Sequence, residues 1–353
     1  MARFKKYIEA NVLEEAYKRI HHIYDLHDDI VVSFSGGKDS LVTLHLVKEV
    51  AQQRGLNKVR AVFRDEELIH QEVVDFVRSY MVEPWLDLEY WAIPLQSNKY
   101  VLGKPMDYVQ WDNKRQWVRE KPEWALTAKD LRIPDSLILS QHNADELAIR
   151  NINGKACILT GVRAAESLMR YRSVVNKLSE NYINASSTQR ATMGRPIYDW
   201  EENDVFKYLY DNKIKYCSIY DSQLWGGRGL RVASAISTEA AKQFHTTAAI
   251  DPELYDRVVE VFPEMFLQER YFREIDKTAA IEQYSQSWET IENYILENIT
   301  DPKQRQKAIK ELASVRVRAA KLPELYPLPY VLKCFMSQGG ERTILPQKKE
   351  VKK

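Results

Sequence analysis

The chain is poor in cysteine: its 353 residues hold three, Cys157, Cys217 and Cys334. They lie far apart, with no Cys-x-x-Cys pair and no Cys/His cluster. This argues against a disulfide framework, a structural zinc and an iron–sulfur cluster within one chain. Long apolar runs are missing as well. None approaches the ~20 residues that span a bilayer, so no membrane partner is expected. The start, Met1-Ala2-Arg3-Phe4-Lys5-Lys6, runs on into polar helical sequence rather than a secretory signal, and the cytoplasm is the expected compartment. Nor is there an excess of one sign of charge, since 51 basic and 50 acidic residues leave a net +1. Bulk charge gives no reason to expect nucleic-acid binding, although a local basic patch stays open.

What is present suits a globular protein with a sizeable core, at 44% apolar and 29% charged residues. Eight Trp and 20 Tyr supply amphipathic rings, mostly for core and interfaces. Residues 7–27 repeat apolar positions at threes and fours, which predicts a helix. The run Ile30-Val31-Val32-Ser33-Phe34 reads as a buried strand, followed by a Ser/Gly loop and an amphipathic helix ending near Gly55. The pattern recurs, with Val59 to Phe63 as a strand, a helix carrying Ile69 to Tyr80, and Leu86 to Ile93 as a third strand. Such alternation predicts an α/β fold, a parallel sheet flanked by helices. Residues 95–140, rich in Trp, Lys, Arg and Pro, read as an insertion near the ligand mouth. Helix is expected at 142–152 and 201–213, strand at Ala156 to Thr160, and a Gly/Arg-rich loop at 223–231. The expected organisation is a nucleotide-binding α/β domain over 1–245, a helical C-terminal region over 250–335 and a basic flexible tail over 338–353.

The loop Ser33-Phe34-Ser35-Gly36-Gly37-Lys38-Asp39-Ser40 joins an apolar strand to a helix. Gly36 and Gly37 let the backbone approach a phosphate closely. Unpaired amides at the helix start, together with the helix dipole, favour an anion there. Ser35 and Ser40 add hydroxyls and Lys38 a mobile positive charge, while Asp39 can cap the helix or help hold Mg²⁺. The spacing is not that of a Walker A loop. The loop resembles the pyrophosphate-binding PP-loop of the adenine-nucleotide α-hydrolase superfamily. Within it, the chain looks like the phosphoadenosine phosphosulfate (PAPS) reductase family. The resemblance implies a parallel sheet flanked by helices and a bound ATP or sulfonucleotide of the APS or PAPS type.

A second signature, Leu159-Thr160-Gly161-Val162-Arg163-Ala164-Ala165-Glu166-Ser167-Leu168-Met169-Arg170, follows the last clear strand. If it is helical, Arg163, Glu166 and Arg170 share one face, Glu166 holding a guanidinium while the arginines bind an oxyanion. A solvated, salt-bridged helix face fits these residues equally well. The segment resembles the family's Gly-Val-Arg-x-x-Glu-Ser-x-x-Arg pattern, which lines the sulfate or phosphosulfate side of the pocket. Asp65 or Glu66, after the second strand, is placed to bind a ribose hydroxyl or Mg²⁺, or to cap the next helix. Pro196-Ile197-Tyr198-Asp199-Trp200 and Tyr216-Cys217-Ser218-Ile219-Tyr220-Asp221 are also similar to the family, and Arg228 or Arg231 can close over phosphates. The segment from Trp91 to Trp117 resembles a branch of phage and prophage co-activator-like proteins.

Authentic PAPS reductases carry a Glu-Cys-Gly-x-His segment near the C-terminus, which this chain lacks, so thiol-dependent reduction is disfavoured. The expected activity is adenylyl transfer with pyrophosphate release onto an oxyanion acceptor such as sulfate, with Lys38, Asp39, Arg163 and Arg170 as the catalytic set and Mg²⁺ as cofactor. The alternative is a non-catalytic, nucleotide-sensing regulator that meets a protein partner through its C-terminal helices or Trp-rich insertion. Direct DNA binding is a third reading. It rests on the Lys/Arg/Trp segment near 111–121 and the basic tail, and the near-neutral net charge argues against it.

Overall fold

The computed structural model describes residues 8–134, 136–175, 180–186, 188–225, 230–237, 240–271 and 277–347. Side-chain alternation along short apolar strands sets its layers. In β1 (Asp29–Ser33), Ile30 and Val32 join a cluster with Ala16, Ile20 and Ile23 of α1 (Val12–Leu26) and Leu41, Leu44 and Val47 of α2 (Lys38–Gln53). Val31 belongs to a different cluster, with Val62 of β2 (Val59–Arg64), Ile158 of β6 (Ala156–Leu159) and Ala144 of α4 (Gln141–Ala148). Both faces of the sheet are therefore covered, as a parallel sheet requires. Each fully buried Val, Ile or Leu contributes about 1.5–3 kcal/mol to that packing.

The other strands of the sheet are β3 (Leu86–Trp91), β7 (Ile183–Ala185) and β8 (Ala191–Gly194), in the order β3-β2-β1-β6-β8-β7. All neighbours are parallel except β7, which pairs antiparallel with β8 at the edge. The parallel strands are the α/β architecture expected from the alternating pattern. The remaining helices of this part are α3 (Gln71–Tyr80), α5 (Leu168–Val174), α6 (Glu202–Asp211), α7 (Ile219–Trp225), α8 (Thr247–Ile250) and α9 (Pro252–Val261).

The segment read as an insertion contains a separate two-stranded sheet, β4 (Leu95–Val101) and β5 (Lys104–Gln110). Its two-residue turn, Leu102-Gly103, has positive φ at both positions (46° and 84°), as a type I′ hairpin requires.

The chain divides into two compact units, Met1–Tyr100 with Pro105–Phe266, and Val101–Lys104 with Leu267–Lys353. Helix α10 (Glu264–Tyr271) crosses that boundary, and α11 (Lys277–Tyr284), α12 (Trp288–Asn298), α13 (Pro302–Lys321) and α14 (Leu328–Gln338) follow. The second unit has its own core, which includes Ile291, Ile295, Leu312, Val315, Leu332 and Phe335. Of the tail expected from residue 338, Ile344 is buried in this core and the Leu345 carbonyl accepts from the Tyr330 hydroxyl at 2.9 Å. Residues 348–353 lie outside the described residues. No described helix is long and apolar enough to cross a membrane.

Candidate nucleotide-phosphate site

From β1 the chain moves outward one way through β2 and β3, then returns to place β6 and β8 on the other side of β1. Open parallel sheets bind ligands at such a switch point, beyond the carboxyl ends of the strands. The two signatures sit there together, because the Ser33–Ser40 loop follows β1 and the Gly161–Glu166 segment follows the adjacent β6. They approach so closely that a Cβ on Gly161 would lie 2.5 Å from the Asp39 carbonyl carbon and 2.6 Å from the Ser40 nitrogen.

Within the loop, Ser33 ends β1 in register with Val62, and Gly36 turns the chain at φ +73° with Val73 and Val77 of α3 against it. The helices α1, α4, α5, α9, α12 and α13 each begin with an Asn, Ser or Asp side chain capping a first-turn amide. Helix α2 begins instead at Gly37, which has no side chain to cap with. Its first-turn amides are thus left for other acceptors, an arrangement that favours an anion. One of them is already engaged, since Lys38 N donates to the buried Tyr220 hydroxyl at 2.9 Å. The serines stiffen the turn. Ser35 N donates to Ser40 Oγ at 3.1 Å, and Ser40 Oγ donates to the Gly37 carbonyl at 2.9 Å.

The charges around the loop are matched in pairs. Lys38 is 4% exposed, and its Nζ lies 3.2 Å from Asp39 Oδ2 and 3.2 Å from Glu202 Oε1 on α6. Arg163 is equally buried and donates from Nε to Asp39 Oδ1 at 2.5 Å. Glu166 lies 3.8 Å from Arg163 and also contacts Arg170. Burial and the nearby charges of Arg231 and Arg163 pull the Arg170 pKa down, so these guanidiniums crowd one region. Arg231 is exposed, its backbone held by the Gln223 side chain, with Arg231 N donating at 2.8 Å. Arg228 lies outside the described residues.

The one-face helix drawn through Arg163, Glu166 and Arg170 is corrected. Arg163 and Ser167 are extended, a short 3₁₀ turn (Ala164–Glu166) lies between them, and α5 starts at Leu168. The break arises because the Ser167 hydroxyl caps α5 by accepting from Arg170 N, a local bond that competes with helix continuation. The Glu166 carboxylate still meets both arginines, by a turn rather than by helical periodicity.

Asp65 and Glu66 have different surroundings. Asp65 is buried, taking bonds from Arg119 (2.5 Å) and Glu67 N (2.9 Å) at Oδ1 and from the Tyr90 hydroxyl (2.7 Å) at Oδ2. Glu67 adopts a left-handed φ of 66°, a conformation costly for a residue with a Cβ. Its buried carboxylate is pinned by Arg115, Trp111 N and Val118 N, which together anchor the Trp-rich segment. Glu66 accepts from Ser234 N at 2.7 Å, and burial pushes its pKa up. Of the three carboxylates expected to hold Mg²⁺, Asp39 instead bridges Lys38 and Arg163, and the oxygens of Asp65 are taken by Arg119, Glu67 N and Tyr90, which leaves Glu66 alone without a cationic partner among the described residues.

Sequence reasoning gave no role to Tyr220 or Glu202, although the first lies in a family-like stretch and the second in the first turn of α6. Asp199 forms a bidentate pair with Arg19 of α1, at 2.7 Å on each oxygen, and Ile197 and Trp200 are core residues, so this stretch is packing. A separate group, His70, Glu72 and Asp251, offers three ligand atoms within 4.8 Å of one another, with Asp251 also capping α9. A cavity of about 780 Å³ lies between α3, the Trp117–Trp124 stretch and α9, lined by no residue of the phosphate loop.

Burial disfavours the thiolate form of each cysteine. Burial pushes the Cys157 and Cys217 thiols up to about 11, and Cys334, in the second unit, is also raised. At pH 7.5 iodoacetamide is therefore expected to label Cys157 and Cys217 at least ~10-fold more slowly in the native protein than after denaturation, read by mass spectrometry. Native labelling of Cys217 as fast as in the denatured chain would reopen a thiol role.

Fold and site together define a PP-loop protein: a parallel α/β sheet with a Ser-Gly-Gly-Lys loop at its switch point. The chain belongs to the phosphoadenosine phosphosulfate reductase domain family, which matches residues 29–275. It is 26% identical over 269 residues to YbdN of Escherichia coli K12, an uncharacterized protein, covering 72% of this chain and 66% of YbdN. That is just under two thirds of the relative's own length. It is 21% identical to an adenosine 5'-phosphosulfate reductase of Oceanobacillus iheyensis, covering 62% of this chain and 78% of the reductase. Among solved structures, FMN adenylyltransferase of Candida glabrata in complex with FAD and inorganic pyrophosphate aligns with a TM-score of 0.39 and 14% identity. That alignment covers 59% of this chain and 58% of the adenylyltransferase.

Proposed function

We propose that the chain binds ATP or an APS- or PAPS-type sulfonucleotide at the Ser33–Ser40 loop. With ATP it transfers the adenylyl group to an oxyanion acceptor such as sulfate and releases pyrophosphate. The observation that supports this best is the uncapped start of α2, with Lys38 and Arg163 beside it at the switch point. In the reaction an acceptor oxygen attacks the α-phosphorus, the bond from that phosphorus to the bridging oxygen breaks, and pyrophosphate leaves with the bonding pair. Lys38 and the α2 amides neutralise the leaving pyrophosphate, and Arg163 and Arg170 hold the acceptor; such transfers depend on positioned charge. Asp39 positions Arg163 and Lys38 between them. Mg²⁺ supplies charge neutralisation when it arrives on the nucleotide's phosphates.

A second reading, a nucleotide-sensing regulator of the phage or prophage type acting with a protein partner, is favoured by one observation. Lys38, Arg163 and Arg170 are each already paired with a carboxylate, a resting state that a ligand has to displace. Thiol-dependent sulfonucleotide reduction is disfavoured by the raised thiols of Cys157 and Cys217.

Incubation with Mg²⁺-ATP, with and without sulfate, tests the transferase reading by mass spectrometry of pyrophosphate and AMP-containing products, with PAPS as a parallel ligand. Sulfate-dependent pyrophosphate and an adenylyl-sulfate product are expected. Nucleotide bound but returned unchanged would contradict turnover and support the sensor.

A further inference from the structure

Two carboxylates of the first unit gather around one buried imidazole. His70 is the N-cap of α3 and Glu72 lies in its first turn, while Asp251 is the N-cap of α9. One ligand atom from each lies within 4.8 Å of the other two. His70 is 6% exposed, and its ring does not cap α3; Nδ1 faces Asp251 Oδ2 instead, at 3.1 Å. The other Asp251 oxygen, Oδ1, accepts from Leu254 N at 3.0 Å, which orients the carboxylate with Oδ2 toward the ring. Two atoms bound to one tetrahedral ion at lengths of about 2.0–2.2 Å stand roughly 3.4 Å apart, so this pair already has nearly the spacing of two ligands. Glu72 is half-buried, and rotation of its side chain is enough to close the remaining gap.

A spacing of 3.1 Å also suits a plain hydrogen bond, and the charges separate the two readings. Asp65 is balanced by Arg119 and Glu67 by Arg115, but among the described residues neither Glu72 nor Asp251 is paired with a lysine or arginine. A proton on His70 balances one of these two negative charges. A divalent cation balances both and leaves the imidazole neutral. A mixed set of imidazole nitrogen and carboxylate oxygens suits ions such as Zn²⁺, whereas Mg²⁺ and Ca²⁺ take oxygen ligands.

We propose that His70, Glu72 and Asp251 form a binding site for a divalent transition-metal ion of the zinc class, separate from any Mg²⁺ carried by a nucleotide. The ion replaces the hydrogen bond between His70 Nδ1 and Asp251 Oδ2, and the imidazole stays neutral with its proton on Nε2. Three protein ligands leave a further position for water. The ion ties α3 to α9, which both wall the cavity of about 780 Å³. It also braces the surroundings of the Ser33–Ser40 loop. Val73 and Val77 of α3 lie against Gly36. The Glu72 carbonyl accepts from Cys217 Sγ at 3.6 Å, in the stretch that leads to Tyr220 and its bond from Lys38 N.

The test uses the full chain, freed of metal with a chelator and kept without nucleotide. Calorimetric titration with Zn²⁺, Mn²⁺, Mg²⁺ and Ca²⁺ gives affinity and stoichiometry, and thermal unfolding gives the linked stabilisation. One equivalent of Zn²⁺ is expected to bind, with Mn²⁺ weaker and Mg²⁺ and Ca²⁺ at least ~100-fold weaker. Free Zn²⁺ at about 100 times its Kd should raise the unfolding temperature by about 5 °C or more. Glu72→Gln and Asp251→Asn, which remove one negative charge each, should weaken Zn²⁺ at least ~10-fold, as should His70→Gln. Asp251→Asn keeps an oxygen that can cap α9, and Glu72→Gln alters a half-exposed side chain, so both variants should fold without metal. Absence of Zn²⁺ binding to the wild type would overturn the proposal and leave an ordinary His70–Asp251 hydrogen bond. So would Zn²⁺ affinity unchanged in both Glu72→Gln and Asp251→Asn, or Mg²⁺ or Ca²⁺ binding as tightly as Zn²⁺.

Discussion

Replacing Gly161 by alanine is expected to remove nucleotide binding and to lower stability by more than about 2 kcal/mol, an overpacking cost. The reason is contact rather than backbone freedom. The added methyl would lie 2.5 Å from the Asp39 carbonyl carbon and 2.6 Å from both its oxygen and the Ser40 nitrogen. These are main-chain atoms in the first turn of α2, which Leu41, Leu44 and Val47 fix against the core, so they cannot rotate away as a side chain would. Either the β6 loop or the start of α2 has to shift. Each shift separates Arg163 from Asp39 and moves the first-turn amides of α2, which the proposed function assigns to phosphate. Denaturant unfolding gives the stability change and calorimetric titration with ATP and PAPS gives the affinity. A variant that keeps both would show that the two loops do not meet as described.

The second large effect belongs to Lys38. Its ammonium is buried between Asp39 and Glu202 at 3.2 Å from each, in a loop with no other lysine. Lys38→Ala is expected to weaken nucleotide binding at least ~100-fold, in the range found when one member of a buried charge pair is truncated. Stability should change little by comparison. Asp39 keeps Arg163, and the Glu202 side chain, 53% exposed, is solvated once its partner is gone. Lys38→Arg should recover part of the affinity if charge is what counts, and none if the compact ammonium is required. Affinity unchanged in Lys38→Ala would remove this residue from the site.

How much of this was legible in the sequence follows from what each segment depends on. Strands β1, β2, β3 and β6 and helices α1 to α3 announce themselves because their burial is written as continuous or periodic apolar residues. The phosphate loop is legible for a related reason: Gly36, Gly37 and Lys38 between an apolar strand and a helix have few other uses. The two hairpins were missed. β7 and β8 are Ile-Asn-Ala and Ala-Thr-Met-Gly, too short and too weakly β-favouring to stand out, and they exist because β6 offers an open edge. The β4–β5 turn places Leu102 at positive φ, where Asn would have signalled it.

In the site, helical spacing groups Arg163, Glu166 and Arg170, whereas the chain groups them by a turn that the Ser167 cap sets off from α5. The commitment of Asp65 to Arg119, and of Glu67 to Arg115, joins residues about 50 apart in the chain, beyond any local pattern. The bond from Lys38 N to the Tyr220 hydroxyl spans 182 residues, so no local pattern announces it.

The central claim is that the loop after β1, facing Gly161 and Arg163, holds a nucleotide's phosphates. Hydrogen exchange of the native chain, with and without saturating ATP or PAPS, tests it most directly. Protection is expected to concentrate in the amides of residues 35–40 and 161–166, and to vanish in Lys38→Ala. Nucleotide that binds but protects only other segments, or leaves those two unchanged at saturation, would contradict it.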